Sequence, residues 1–327
     1  MPDILFIKTS SLGDVIHHMP ATADARRYFP DARIVWVVEE AFVPLVQMHP
    51  AVNEVIPVAA RRWRRQLRDV SVQPLYEPAG APWIEIGSLR KRLRAPRYDA
   101  VIDTQGLLKS AVIAWFARGP RHGYDWNSIT ERPATLFYNM RHAVSRDLHA
   151  IERNRRLTAL ALGYSPGGVL DYGLDRAKLN ASSAKPYAVF VHATAQAKKR
   201  WPEERWIETG RALHSRGLEI VLPWGSGDER AAAERIAASM PGARVAEQMP
   251  LDAMARLIAS ASLVVGIDTG LLHLAAALGV PLVAIFVASE SGLTGPMGRG
   301  PIEIVGAMNE PPFVAQVTAA IEKVTRA

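Results

Sequence analysis

An aspartate closely follows the first apolar run of the chain, in the sequence KTSSLGD. The apolar run at 4–7 predicts a buried strand, and Ser10, Ser11 and Gly13 predict a turn into a helix. Such a unit can bind phosphate, but this one lacks both G-x-G-x-x-G and the Walker lysine. A carboxylate also repels a phosphate, so Asp14 is unsuited to a phosphate loop and must have another task at this turn.

A second stretch with chemical potential is GIDTGLLHLAAALGVP, at 266–281. We expect a buried strand to end at Asp268 and a helix to open at Thr269-Gly270, with His273 on its first turn. The first N–H groups of a helix have no internal partner and the dipole is positive there, so this turn can cradle a diphosphate. Alternatively, Asp268 or Thr269 simply caps the helix and His273 packs inside the protein.

Two more predicted strand ends carry polar groups. The segment HATAQAKKRWPEERW (192–206) brings Thr194 and Lys199 together with other cations in one loop, and ligands of open α/β sheets bind at such ends. A lysine of this loop, Lys198 or Lys199, can neutralise a leaving phosphate, although a solvated basic loop explains the same pattern. In PWGSGDER (223–230), Glu229 can accept hydrogen bonds from a ribose or can merely favour the helix dipole.

The residue patterns of metal sites and nucleophilic enzymes are missing. The chain has no Asp-x-Asp, no His-Glu-x-x-His, no G-x-S-x-G and no cysteine. His17 and His18 are adjacent and point in different directions on a helix, which does not suit a metal. We therefore expect no bound divalent metal and no cofactor. The lack of cysteine excludes disulfides and fits a reducing compartment.

Apolar runs alternate with helical patterns in both halves, which predicts parallel, doubly wound α/β sheets. The predicted strands are 4–7, 34–38, 55–58, 100–103, 188–192, 219–223, 263–268 and 282–287. The predicted helices are 14–28, 41–48, 107–117, 150–162, 202–215, 229–239, 252–259 and 271–278. Pro20 is expected to kink or break the first helix.

The chain of 327 residues is long for a single core and suggests two domains. We place an N-terminal domain at 1–165, a linker at 166–186 and a C-terminal domain at 187–309. An amphipathic helix at 310–327 either returns to pack on the N-terminal domain or is a plain terminal helix. The segment 71–87, rich in Pro and Gly, predicts a loop or lid.

The net charge of +7 is concentrated in one segment. Residues 61–97 contain ten basic and three acidic residues, so they carry the whole excess. This suggests a polyanionic partner, either nucleic acid, phospholipid or a phosphorylated glycan, while a solvated surface loop is the alternative. Without a signal peptide or a long apolar stretch, the protein is expected to be soluble and cytoplasmic, and able to touch a membrane surface.

Taken together, the segments KTSSLGD, RRWRR (61–65), HAT…KRWPEERW, PWG and IDTGLLHL occur in the order seen in bacterial lipopolysaccharide heptosyltransferases. The resemblance covers nearly the whole chain and is closest to the heptosyltransferase I branch. It implies a GT-B fold of two Rossmann-like domains facing across a cleft. It also implies an inverting, metal-independent transfer of heptose in inner-core synthesis, from ADP-L-glycero-D-manno-heptose to the first Kdo of Kdo2-lipid A.

The resemblance also assigns roles to residues. Asp14 matches the family's catalytic aspartate, made more basic by burial or used to orient the acceptor hydroxyl, and Lys199 stabilises the departing ADP. The donor site carried over from the family comprises Thr194, Lys199, Glu229, Met249, Asp268, Thr269, Gly270 and His273. The implied acceptor site comprises Ser10, Ser11, Arg61, Arg62, Arg64 and Arg65. A lipid-borne acceptor implies peripheral contact with the cytoplasmic face of the inner membrane, and no nucleic acid partner.

The chain departs from the family pattern at Ala195, at 197–198 and at 287–289, which concerns the phosphate contacts. One alternative function is a family glycosyltransferase with another donor or acceptor. The other is a non-catalytic protein that binds nucleotides or nucleic acid, which the basic segment favours and the lack of a stacking platform opposes.

Overall fold

The computed structural model describes residues 1–68, 82–179, 185–194, 196–288 and 291–326. The chain divides into two compact units, Met1–Gly173 and Leu174–Ala327. This division falls inside the segment predicted as the linker.

The first unit is built on a parallel sheet of six strands in the order β3-β2-β1-β4-β5-β6. The strands are β1 (Asp3–Ile7), β2 (Arg33–Glu39), β3 (Glu54–Val58), β4 (Ala100–Asp103), β5 (Arg121–Tyr124) and β6 (Met140–His142). This is a doubly wound order, with the switch point between β1 and β4. Leu5 of β1 lies opposite Val35 on one side and Val101 on the other, and all three are fully buried. Burial on both faces explains the continuous apolar runs of the central strands.

The helices of the first unit are α1 (Leu12–Tyr28), α2 (Val43–Val46), α3 (Ala60–Arg68), α4 (Pro82–Arg94), α5 (Leu108–Phe116) and α6 (Ala150–Leu162). α1 extends from Leu12 to Tyr28 with Pro20 inside it, so the helix is not broken at this proline. A buried ion pair joins α1 to α6, because Arg155 Nε lies 2.6 Å from Asp24 Oδ2. α6 ends at Gly163, whose φ of 76° is a left-handed conformation that suits glycine.

The second unit repeats this architecture with the order β12-β11-β10-β7-β8-β9, again parallel. Its strands are β7 (Tyr187–Val191), β8 (Glu219–Leu222), β9 (Ala243–Val245), β10 (Leu263–Ile267), β11 (Leu282–Ile285) and β12 (Ile302–Val305). Its helices are α7 (Arg176–Leu179), α8 (Glu203–His214), α9 (Gly227–Ala238), α10 (Leu251–Ala259), α11 (Gly270–Ala277) and α12 (Val314–Arg326).

Two further sequence-based expectations concern α12 and the segment before α4. The buried face of α12 is part of the hydrophobic core of the second unit, through Val317, Ile321 and Val324, whereas packing on the N-terminal domain was one of two options considered. Residues 82–87 belong to α4 rather than to a loop, and the rest of the predicted lid, at 71–81, lies outside the described residues. In the described parts of the chain, no helix is long and apolar enough to cross a membrane.

Candidate active site

The turn between β1 and α1 fixes the carboxylate of Asp14. Asp14 Oδ2 accepts hydrogen bonds from the backbone N–H of Ser11, at 2.7 Å, and from its hydroxyl, at 2.9 Å. Ser11 is the N-cap of α1 and Asp14 is its third residue, so the carboxylate caps the helix as in a capping box. The side chain remains 41% exposed, with Oδ1 at 4.0 Å from Lys8 Nζ. The structure therefore does not show the burial that was one of the two options for Asp14, and the other option, orientation of the acceptor hydroxyl, stays a prediction.

Residues that follow β4 hold this turn in place through hydrogen bonds. Gln105 Oε1 accepts hydrogen bonds from the backbone N–H groups of Thr9 and Ser10, at 2.9 and 3.1 Å. The ammonium group of Lys109 donates to the Ser10 hydroxyl at 2.7 Å. Gln105 and Lys109 carry no signal in the sequence, because only the pairing of β1 with β4 brings the loop after β4 and the start of α5 beside the turn.

Two amines near the turn have lowered pKa values. Burial lowers the pKa of Lys8, while Asp14 and Asp103 oppose this shift; its Nζ donates to Thr104 O at 3.0 Å. Burial also lowers the pKa of Lys109. Positive charge beside a half-exposed carboxylate suits a ligand that carries both hydroxyl and anionic groups.

Glu39, at the end of β2, connects the Asp14 turn to α3. Its backbone N–H donates to Thr9 O at 3.1 Å, and its Oε1 accepts a hydrogen bond from the Arg61 N–H at 3.0 Å. The side chain is 2% exposed, and Oε2 is buried with no hydrogen-bond partner in the part of the chain that the structure describes. Glu39 is therefore a further candidate site residue that the sequence patterns did not indicate.

The four arginines of α3 that the resemblance assigned to the acceptor are not equivalent. Arg61 places its guanidinium over the ring of Phe42, at 5.4 Å, and Arg64 and Arg65 are exposed. Arg62 instead forms a two-pronged ion pair with Glu85 of α4, at 2.8 and 2.9 Å. This carboxylate, with Glu40, raises the pKa of Arg62. Arg62 thus holds α3 against α4.

In the second unit, the residues of the predicted donor site follow four adjacent strands. Sheet order places the ends of β10, β7, β8 and β9 side by side. Asp268 to Gly270 follow β10, and His273 lies on the first turn of α11. Thr194 and Lys199 follow β7. Glu229 lies in the first turn of α9, after β8, and Met249 follows β9. The structure therefore assembles all the predicted donor residues along one edge of one sheet.

Lys199 and Asp268 form an ion pair between the β7 and β10 loops, with side chains 18% and 14% exposed. Next to them, Thr269 is the N-cap of α11, yet its side chain makes no capping hydrogen bond. Its hydroxyl oxygen is buried and unpartnered among the described residues. An ammonium group, an available hydroxyl and a helix N-terminus here are the groups that bind phosphate.

Glu229 takes part in its own helix start. Its Oε2 accepts a hydrogen bond from the Gly225 N–H at 2.8 Å, and its N–H donates to the Ser226 hydroxyl at 3.3 Å. Glu229 therefore has a structural task at the start of α9, which does not exclude a ligand contact. Glu229 and Thr194 also line one cavity of about 300 Å³. Within the described ranges, no group of three His, Cys, Asp or Glu residues is placed to hold a metal ion.

Comparison with known proteins identifies the family. A family model described as glycosyltransferase family 9 (heptosyltransferase) matches residues 86–320. The chain belongs to glycosyltransferase family 9. Lipopolysaccharide heptosyltransferase 1 of Pseudomonas aeruginosa is 43% identical over 304 residues, which cover 92% of this chain and 83% of that protein.

Two solved structures of the Escherichia coli heptosyltransferase WaaC are also similar. The structure with ADP aligns with a TM-score of 0.89 at 39% identity, and the structure with ADP-2-deoxy-2-fluoro heptose with 0.87 at 38%. Each alignment covers 98% of this chain and 99% of the other. These matches confirm the predicted GT-B fold and the resemblance to heptosyltransferases. This family 9 member is a glycosyltransferase, so the non-catalytic alternative is set aside. The departures at Ala195 and position 289 lie outside the described residues.

The role of Glu39 can be tested without substrates. Replacing Glu39 by alanine removes the acceptor of the Arg61 N–H, and an unmade hydrogen bond of this kind costs about 1–3 kcal/mol. We therefore expect the Arg61 amide to exchange with D2O about fivefold to a hundredfold faster, measured by NMR or mass spectrometry. Glu40→Ala is the matched control, because Glu40 contacts the side chain of Arg62. Equal protection of the Arg61 amide in both variants would contradict this role.

Proposed function

We propose that the protein transfers L-glycero-D-manno-heptose from ADP-heptose to the first Kdo of Kdo2-lipid A, with inversion and without a metal. The observation that carries the proposal is the pairing of Lys199 with Asp268 beside the N-terminus of α11. The relatives named heptosyltransferase, and the structures of one of them with ADP and with an ADP-heptose analogue, support this choice of donor.

The donor diphosphate binds at Thr269 and Gly270, where the first N–H groups of α11, which have no partner within a helix, and the buried Thr269 hydroxyl face it. Lys199 neutralises the β-phosphate as it departs. Thr194 and His273 complete the phosphate environment. The ribose lies against Glu229 and the adenine against Met249, on the far side of β7. Asp268 contacts the heptose or shapes its pocket.

The acceptor binds at the Asp14 turn of the first unit. Its carboxylates and phosphates suit the exposed guanidinium groups of Arg61, Arg64 and Arg65, because Arg binds such groups in a two-pronged manner. Arg62 contributes indirectly, by holding α3 in place through Glu85. Ser10 and Ser11 supply hydroxyl contacts next to the base.

Transfer is a direct displacement. The acceptor hydroxyl oxygen bonds to the anomeric carbon as the bond from that carbon to the β-phosphate oxygen breaks. Asp14 accepts the hydroxyl proton, and ADP leaves with the electron pair of the broken bond. The positive charge of Lys199 and the dipole of α11 stabilise this developing negative charge, which is the task that a divalent cation performs in other transferases.

The acceptor is carried by a lipid, so the enzyme must work at a membrane surface. We propose that it is cytoplasmic and binds peripherally to the inner membrane, through groups that attract anionic lipid. Nucleic acid is not a partner in this proposal.

The function is tested by incubating the purified protein with ADP-heptose and Kdo2-lipid A and measuring product mass. We expect a gain of one heptose residue and release of ADP, with the rate unchanged by EDTA. Transfer to a different acceptor only, or from a different nucleotide sugar only, would contradict the proposal and favour another activity of the same family.

The base is tested by Asp14→Asn. The amide oxygen of asparagine can still accept the hydrogen bond from the Ser11 N–H, so the cap of α1 is largely kept while the proton acceptor is lost. We expect kcat to fall about 10²- to 10⁴-fold, with ADP affinity and thermal stability close to wild type. Turnover within tenfold of the wild-type rate would remove Asp14 from this role.

The phosphate contact is tested by Lys199→Met, with Lys198→Met as the matched control on the same loop. Hydrogen bonds to charged groups contribute about 1.5–3 kcal/mol, so ADP affinity should fall about 10- to 100-fold in the first variant. Isothermal titration calorimetry should show little change in the second, because Lys198 is exposed. Equal losses in both variants would indicate nonspecific charge attraction instead.

A further inference from the structure

We propose that one face of α4 docks on an anionic membrane surface. We define the α4 outer face as Trp83, Ile84, Arg90, Lys91 and Arg94. This inference rests on the proposed function in one respect, because a lipid-borne acceptor requires the enzyme to reach a membrane. The rest of its support comes from the residues of α4. It names the surface through which peripheral contact is made.

The helical period places these side chains together. At 100° per residue, Arg90 and Arg94 each point within roughly 20° of Trp83, and Lys91 and Ile84 follow on the adjacent side. The opposite side of α4 is held by the protein, with Pro82, Leu89 and Leu93 buried. Trp83 is 59% exposed and Ile84 is 49% exposed, which is high for large apolar residues on a helix that packs.

The charged side chains of α3 and α4 differ in whether they face other parts of the protein or solvent. On the inward side, the Arg62 guanidinium is neutralised by Glu85 and Glu40, and Arg92 forms an ion pair with Glu54 at 2.7 Å. On the α4 outer face the three cations are exposed, and none has an ion-pair partner among the described residues. The concentrated positive charge seen in the sequence is therefore presented outward here.

A lipid surface fits this face better than nucleic acid does. Trp side chains are enriched at membrane interfaces, where Ile also partitions and Arg and Lys reach the headgroups with their stems in apolar surroundings. Single-stranded nucleic acid needs several aromatic rings in succession, and this face has one. Each cation near an anionic membrane strengthens binding about fivefold.

The test uses sedimentation with vesicles that contain no acceptor, so it does not depend on heptose transfer. We expect the wild-type protein to bind vesicles of phosphatidylglycerol and phosphatidylcholine, and to bind pure phosphatidylcholine far less. The triple variant Arg90→Gln, Lys91→Gln, Arg94→Gln should bind anionic vesicles about 100-fold more weakly at low salt. The variant Trp83→Ser, Ile84→Ser should still bind anionic vesicles at low salt. As the salt concentration is raised, it should dissociate at a lower concentration than the wild type does.

The matched control is Arg118→Gln, Arg132→Gln, Arg141→Gln, which removes the same charge from an exposed part of the same unit. We expect it to bind like the wild type. Equal losses in both triple variants, or tight binding to an oligonucleotide without binding to anionic vesicles, would overturn the proposal. Circular dichroism confirms folding of each variant.

A wild-type protein that binds vesicles but transfers no heptose would contradict the proposed function and leave this inference standing.

Discussion

In both sheets every strand runs parallel to its neighbours. Each connection must therefore return from the carboxyl end of one strand to the amino end of the next. All loops that follow strands therefore emerge at the carboxyl ends of the strands. Strands that are adjacent in the sheet bring together loops that are distant in the sequence. In the first unit, this constraint places Glu39, Ser10 and Gln105 side by side, after β2, β1 and β4. In the second, it gathers the groups that follow β10, β7, β8 and β9. Binding residues need only lie just past a strand to converge.

The same constraint explains how much of the fold the sequence predicts. Strands buried on both faces, such as β1 and β4, are continuous apolar runs and are recognised within a residue of their ends. β6 and β9 are three-residue edge strands with little buried surface, so they carry no pattern to detect. α4 is missed because Pro82 and Gly87 suggest a loop, although proline is tolerated at the first position of a helix.

For the site, the types of residue are predictable and their pairings are not. The sequence treats the α3 arginines as one cluster, but the side chains diverge: Arg62 meets Glu85, which lies 23 positions away. Glu39 and Gln105 are single polar residues whose importance comes from their neighbours in space. The predicted roles of Asp14 and Glu229 also omit a structural task, since each carboxylate caps the helix on which it lies.

The Lys199–Asp268 ion pair has a consequence for selectivity among anions. An incoming anion must compete with a carboxylate that already compensates the ammonium charge. A small anion such as inorganic phosphate replaces one charge contact with another and gains little. In the proposed donor site, a nucleoside diphosphate would also gain the N–H groups of α11 and the Thr269 hydroxyl, so its contacts would exceed those that it displaces. Asp268 of this proposed site would thus set an energetic threshold that discriminates against the abundant small phosphates of a cell.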